Sequence, residues 1–341
     1  MSNTIYRPFL EKLGGTNVNE YVGDKGEVFY DPEVGDLRVS DGITPGGVLL
    51  TGGGGGGNHW VRPSDWLAMP TVLETEEKFV GLFAVFDAPE NFIALYFEGD
   101  YTVDWGDGNV ENYFSGDKAQ HSYVWSDIPS STLTTEGYRQ VLVTVTPQVG
   151  QHLTVANIGV RHDYILGVDS STPWLDLIMT LPQLQSGKSL ILSDNGNSEY
   201  LGEVQSIQIL NSGNCEDFSY LLYYAISLRN FSLGFNIVTN MNGMFSYCYA
   251  LTTVPQFDTA SVTDMSYMFS GCSALQTAAL NGTKVNVVYS NCLLGRQSIV
   301  DIFNGLGTAS ATINISNNYG TASLTQEDKD IAINKGWTIT T

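Results

Sequence analysis

Short apolar runs bounded by turn residues dominate the first half of the chain. Residues 80–86, 92–97 and 141–145 are nearly continuous in Val, Ile, Leu, Phe and Ala, and residues 101–104 alternate before stopping near Asp107 and Gly108. Runs of this length predict strands, and Asp-Gly predicts a tight turn. Several such strands with turns between them predict a β-sandwich over residues 59–167. Upstream, residues 26–31 and 35–42 flank Asp31, Pro32 and Gly35. There proline pre-sets φ and glycine supplies φ > 0, so a β-hairpin is expected. A further turn at Pro45, Gly46 and Gly47 leads to Val48, Leu49 and Leu50. Residues 8–13 predict a helical turn closed by Gly14 and Gly15. Residues 1–51 bury too little apolar surface to stand alone and are expected to pack on copies of themselves. The glycine run 52–57 predicts a linker over 52–58. No Gly-Lys-Ser/Thr follows it, so a phosphate-binding loop is not expected.

A different pattern governs the second half. Asp217, Phe218, Ser219, Tyr220, Leu221 and Leu222 align with Asn240, Met241, Asn242, Gly243, Met244 and Phe245. They align again with Asp264, Met265, Ser266, Tyr267, Met268 and Phe269, at offsets of 23 and 24 residues. Ala225, Cys248 and Cys272 follow at one spacing, and Leu228, Leu251 and Leu275 at another. A period of this length marks stacked coils that share one continuous core, as in leucine-rich repeats. The expected repeat core is Leu221, Leu222, Leu228, Met244, Phe245, Cys248, Leu251, Met268, Phe269, Cys272 and Leu275. The tail reads as a cap: a helix over 299–306, a strand over 312–315, a helix opened by Thr325 and closed at Lys335 and Gly336, and a last strand over 337–340. The expected fold is therefore mainly β with an α+β solenoid. It comprises an N-terminal β-hairpin module (1–51), a linker (52–58), a sandwich (59–167) and a repeat domain with an α/β cap (168–341).

Composition narrows the function classes. The chain has 341 residues, 36 acidic against 15 basic, for a net charge of −21. Such a polyanion repels nucleic-acid backbones and anionic lipid, so neither partner is expected. No apolar run reaches the roughly 18 residues of a membrane span. Met1, Ser2, Asn3 and Thr4 do not open a basic-then-apolar leader, so no secretory signal is expected. Four cysteines in this length do not make a disulfide framework.

Three stretches carry family resemblances. Val262, Thr263, Asp264, Met265 and Ser266, leading to Met268, Phe269, Cys272 and Leu275, resemble the BspA-type leucine-rich repeat. The ending through Leu324, Thr325, Gly336 and Trp337 is similar to that family's usual close. The earliest coil departs from the pattern, with Leu222 in place of Phe and Ala225 in place of Cys. Asp104, Trp105, Gly106, Asp107 and Gly108, with His121 and Tyr123, resemble a PKD-like Ig-fold module. Residues 26–47 resemble the N-terminal modules of phage tail-fibre and tropism-determinant proteins. That last resemblance implies an intertwined homotrimer that fixes a fibre to the virion.

Candidate chemistry is sparse. Asp104, Asp107, Asn109 and Glu111 cluster around one turn and are candidate Ca²⁺ ligands. The EF-hand spacing is missing, and turn-forming residues are the favoured reading. Cys248 and Cys272 read as stacked core residues, since no zinc-like spacing accompanies them. Cys215 and Cys292 fall off the repeat and receive the same reading. His59, His121, His152 and His162 belong to no catalytic motif. Tyr220, Tyr223, Tyr224, Tyr247, Tyr249 and Tyr267 crowd the repeats. They are either a recognition face for a host-surface polysaccharide or protein, or plain packing. The leading expectation is a non-enzymatic virion protein without cofactor, a tail fibre or fibre-like appendage attached to other virion proteins. The alternatives are a capsid decoration, tail-sheath-associated or other structural virion protein without a receptor role, a polysaccharide depolymerase and, weakened by the lack of a leader, a bacterial adhesin.

Overall fold

The computed structural model describes residues 28–31, 36–40, 48–49, 60–89, 91–160, 162–163, 173–193, 201–234 and 237–341. The chain divides into two compact units, Met1–His59 and Trp60–Thr341. The helical turn expected at 8–13, the turns at 32–35 and 45–47, His59 and the glycine linker lie outside the described residues. In the first unit, β1 (Val28–Asp31) pairs antiparallel with β2 (Asp36–Val39) in the register Val28 to Val39, which is the expected hairpin. A third strand, β3 (Val48–Leu49), adds antiparallel to β2.

The second unit opens with an irregular strap, residues 60–76, and continues into the strands of a sandwich. These are β4 (Lys78–Val85), β5 (Phe92–Glu98), β6 (Tyr101–Asp104), β7 (Val110–Tyr113), β8 (Lys118–Ser122), β9 (Arg139–Pro147) and β10 (Val155–Asn157). Next come β11 (Trp174–Thr180), β12 (Leu190–Ile191), β13 (Ser206–Asn211) and β14 (Asn230–Leu233). Two sheets result: seven strands in the order β14-β13-β11-β4-β9-β6-β7, and four in the order β12-β10-β5-β8. Phe79, Phe83, Phe97, Tyr101, Trp105 and Trp174 fill the space between them, all fully buried. The Trp174 indole meets Phe79 and Phe83 edge-on at 5.6 and 5.4 Å. Gly81 makes this possible, because a Cβ there would stand 2.2 Å from the indole.

The outer face of the long sheet is also covered. Trp66, packed with Leu82, Ala84 and Leu175, and Val72, packed with Val80 and Ile178, close it over. Burial on both faces is why β4 beyond Lys78, and β11 apart from Asp176 and Thr180, are apolar rather than alternating. The strap is pinned by Arg62, whose Nε donates to the buried carboxylate of Asp176 at 2.7 Å.

The expected boundary at 167/168 does not separate two sheets. β11 pairs antiparallel with β4 and parallel with β13, and β13 pairs parallel with β14. The sandwich sheet thus runs directly into the parallel ladder of the solenoid. Further coils pair through β15 (Phe257–Asp258) and β16 (Leu280–Asn281), and through the bridges Asp217 to Asn240 to Asp264. The cap consists of β17 (Val287–Val288), α1 (Arg296–Gly305), β18 (Thr312–Asn314), α2 (Gln326–Ile333) and β19 (Thr338–Thr340). Its three strands are parallel. No helix among the described residues is long and apolar enough to cross a membrane. The fold is mainly β.

Candidate recognition surface

The solenoid is best described by rows, each holding one residue per coil. The aromatic row contains Leu222, Phe245, Phe269, Tyr289 and Ile315, all fully buried. Phe245 and Phe269 lie parallel, with centroids 5.8 Å apart and planes 2° apart, and Tyr289 stacks on Phe269 at 4.9 Å. Three residues further on lies a polar row: Ala225, Cys248, Cys272, Cys292 and Asn318. The Cys248 thiol donates to the Leu222 carbonyl, Cys272 to Phe245 and Cys292 to Phe269. The Asn318 amide donates to Tyr289 at 2.7 Å. Each donor therefore reaches the aromatic-row carbonyl of the preceding coil. Cys292 is a member of the repeat, contrary to the sequence reading; the coil that carries it is only 20 residues long, so it falls out of the 24-residue register. The earliest coil, with Leu222 and Ala225, stacks like the others. All eleven residues expected in the repeat core are at most 2% exposed. All four cysteines are free and buried. Burial pushes the thiols of Cys248 and Cys272 well up, and that of Cys292 up to about 12.

The turn of the first three coils is set by an Asx residue. Asp217, Asn240 and Asp264 each accept, through Oδ1, the N–H two residues on, from Ser219, Asn242 and Ser266 at 2.8–3.0 Å. In the cap, at a different position just before the aromatic row, Asn314 Oδ1 accepts the Ser316 N–H. Beyond the Asx residue the chain enters the left-handed region twice. One row holds Tyr220, Gly243 and Tyr267, with φ of 56°, 60° and 59°. The other, two residues past the aromatic row, holds Tyr224, Tyr247, Gly271, Asn291 and Asn317, with φ between 58° and 76°. These twists aim backbone N–H groups along the stack: Tyr220, Tyr224, Gly243, Tyr247 and Asn291 donate to carbonyls of Asn242, Ser246, Ser266, Ser270 and Ser316. The two glycines also make room for rings. A Cβ on Gly243 would stand 2.6 Å from the Tyr220 ring, and one on Gly271 would stand 2.8 Å from the Tyr247 ring.

Five of the six tyrosines singled out in the sequence meet ring to ring. Tyr224 and Tyr247 are 4.5 Å apart, Tyr223 and Tyr224 4.7 Å, Tyr220 and Tyr223 5.6 Å, and Tyr247 and Tyr249 6.0 Å. Tyr267 makes no ring contact with them and is 64% exposed. Immediately after the polar row comes an outward row that sequence reasoning did not collect: Ile226, Tyr249, Ser273, Leu293 and Tyr319, all exposed. Tyr319 is 77% exposed. Only the register of the short coil, visible through Cys292, aligns Leu293 and Tyr319 with Tyr249.

The acidic turn of the sandwich is occupied internally. Asp104 accepts from the Gly106 N–H, and Asp107 accepts from the Asn109 N–H and holds His121 Nε2 at 2.7 Å. Glu111 accepts from the Trp105 indole and the Tyr113 hydroxyl. Burial alone would raise the Asp107 carboxyl, but Asn109 and His121 outweigh it and hold it below its ordinary value. The Tyr113 and Trp105 hydrogen bonds do the same for Glu111. His121 lies flat on Trp105 at 4.9 Å, and the Tyr123 hydroxyl donates to the Trp105 carbonyl. The four Ca²⁺ candidates thus tie the hairpin together. Among the described residues, no group of three or more His, Cys, Asp or Glu is placed to hold a metal ion. His152 meets Glu77 at 2.9 Å, and His162 stacks on Phe92 at 4.8 Å.

The family described as "Mycoplasma protein of unknown function, DUF285" matches residues 202–292. No curated protein and no solved structure matches the chain. The matched residues begin just after Leu201 and end on Cys292, so they take in the stacked coils with their thiols and tyrosines. Over those coils the chain is similar to that family.

Proposed function

We propose that this chain is a non-enzymatic structural protein of a phage virion, a tail fibre or fibre-like appendage that attaches the particle to the host surface. The observation that carries this reading is the sheet shared by sandwich and solenoid. A load entering at β4 passes through β11 into β13 and β14 by backbone hydrogen bonds. That suits an arm that must hold a contacting surface away from its anchor. In this reading the first unit, through its likeness to tail-fibre modules, trimerises and anchors on other virion proteins. The PKD-like sandwich spaces, and the BspA-like coils are displayed outward.

The test is placement on intact particles. Immunogold labelling is expected on the tail, quantitative mass spectrometry is expected to find few copies, and added purified protein is expected to slow adsorption to host cells. Absence from purified particles overturns the proposal. Hundreds of copies on the capsid, without any effect on adsorption, would replace it with a decoration role.

A further inference from the structure

We infer that the tyrosine ledge of the solenoid is a binding site for an uncharged glycan. Only the glycan's placement on the host surface rests on the attachment reading.

The first argument is strain. A left-handed backbone costs an L-residue with a bulky side chain roughly 1–2 kcal/mol, and glycine or asparagine far less. This chain uses the cheaper residues at equivalent positions: Gly271, Asn291 and Asn317 share a row with Tyr224 and Tyr247. The fold therefore does not need tyrosine there. Strained residues persist where their side chains serve a function.

The second argument is charge. Between Phe218 and Phe257 the only charged side chain is Arg229, in a protein of net charge −21. An anionic ligand would be repelled by the molecule as a whole, and for a cationic one the carboxylates at the turns of these coils, Asp217 and Asp264, are already engaged, with the Ser219 N–H and with the Ser266 N–H and the Asn242 amide. A neutral ligand meets neither obstacle.

The third argument is shape. Tyr223 stands edge-on to Tyr220, Tyr224 and Tyr247, with interplanar angles of 84°, 72° and 78°. Faces and edges alternate, so the rings form walls and not one flat plate. A single glycan chain fits such a relief: its sugar rings have apolar C–H faces for the aromatic surfaces and hydroxyls for the phenolic oxygens. A flat crystalline polysaccharide does not.

The test borrows the chain's own alternatives. Tyr224→Asn copies Asn291 and Asn317, and Tyr249→Ser copies Ser273 in the outward row. The full-length protein is titrated calorimetrically with neutral glucan, mannan and galactan oligosaccharides at low and high salt, and each variant is melted in parallel. At least one oligosaccharide is expected to bind with little salt dependence. Each variant is expected to weaken it tenfold or more while the melting temperature holds or rises. Absence of binding to every neutral glycan overturns the inference. So does unchanged binding in both variants, or a melting temperature that falls in both while affinity is kept, which would make the rings packing alone. Binding only to a basic protein, lost at high salt, also overturns it. Glycan binding by a chain absent from particles would overturn only the attachment reading. Blocked adsorption without glycan binding would overturn only this inference.

Discussion

Cys248, Cys272, Cys292 and Asn318 do one task with two chemistries: each side chain fills a narrow buried slot and donates to a carbonyl of the coil before. A thiol does this cheaply, because it is small, apolar and a weak donor. It also explains why the sulfurs stay protonated, since burial disfavours the thiolate. Ellman's reagent is therefore expected to find no reactive thiol in the native protein and all four after denaturation without reductant. A denatured count of two would reveal a disulfide and overturn the row. At this scale the sequence was legible where the coils keep step. Asp217, Asn240 and Asp264 announce themselves at 23 and 24 residues. Cys292 and Asn318 do not, because the coils that carry them differ in length and a sequence period sees only chain separation, whereas the stack depends on spatial rise.

The caps of individual elements show how local sequence and tertiary contact combine. Thr325, the N-cap read from the sequence, forms a capping box with Asp328 at the start of α2. Asp328 also accepts two hydrogen bonds from Arg296 at the start of α1, at 2.9 and 2.8 Å, which no local pattern reveals. The Lys335 ammonium closes the other end of α1 by donating to the carbonyls of Phe303, Asn304 and Leu306, where a helix terminus has unpaired acceptors. Burial alone would push the Asp328 carboxyl up, but the Thr325 N–H and the guanidinium outweigh it and lower it from 3.8. Because the folded value lies below the unfolded one, the stabilisation is present above about pH 4 and lost as pH falls through the folded value. Asp328→Asn is therefore expected to destabilise most at neutral pH, with the gap from wild type closing as acid is added. Urea denaturation at stepped pH reads this directly, and a gap that stays constant or widens in acid would refute it. The same interplay hid β11. Its run carries a charge, Asp176, that breaks the apolar pattern, and its counter-ion Arg62 lies 114 residues away.

Across the whole molecule, the decisive feature is that β11 belongs to both halves. It supplies Trp174 to the sandwich core, and Leu177 and Met179 alongside the first strand of the ladder. A fragment ending at residue 167, the boundary that the strand pattern suggests, would lack β11, one of the two antiparallel partners of β4. It would also leave Phe79 and Phe83 facing the void of a missing indole. Losing a buried tryptophan alone costs roughly 3–5 kcal/mol, a large share of the 5–15 kcal/mol that holds a domain together. Residues 60–167 are thus expected to give weak near-ultraviolet circular dichroism and no sharp melting transition, whereas residues 60–341 keep both. A cooperative transition in the shorter fragment would mean that the sandwich stands alone and the shared sheet is only a contact. Because β11 and the core behind it are continuous through sandwich and coils, detaching the coils would mean breaking the core that positions them.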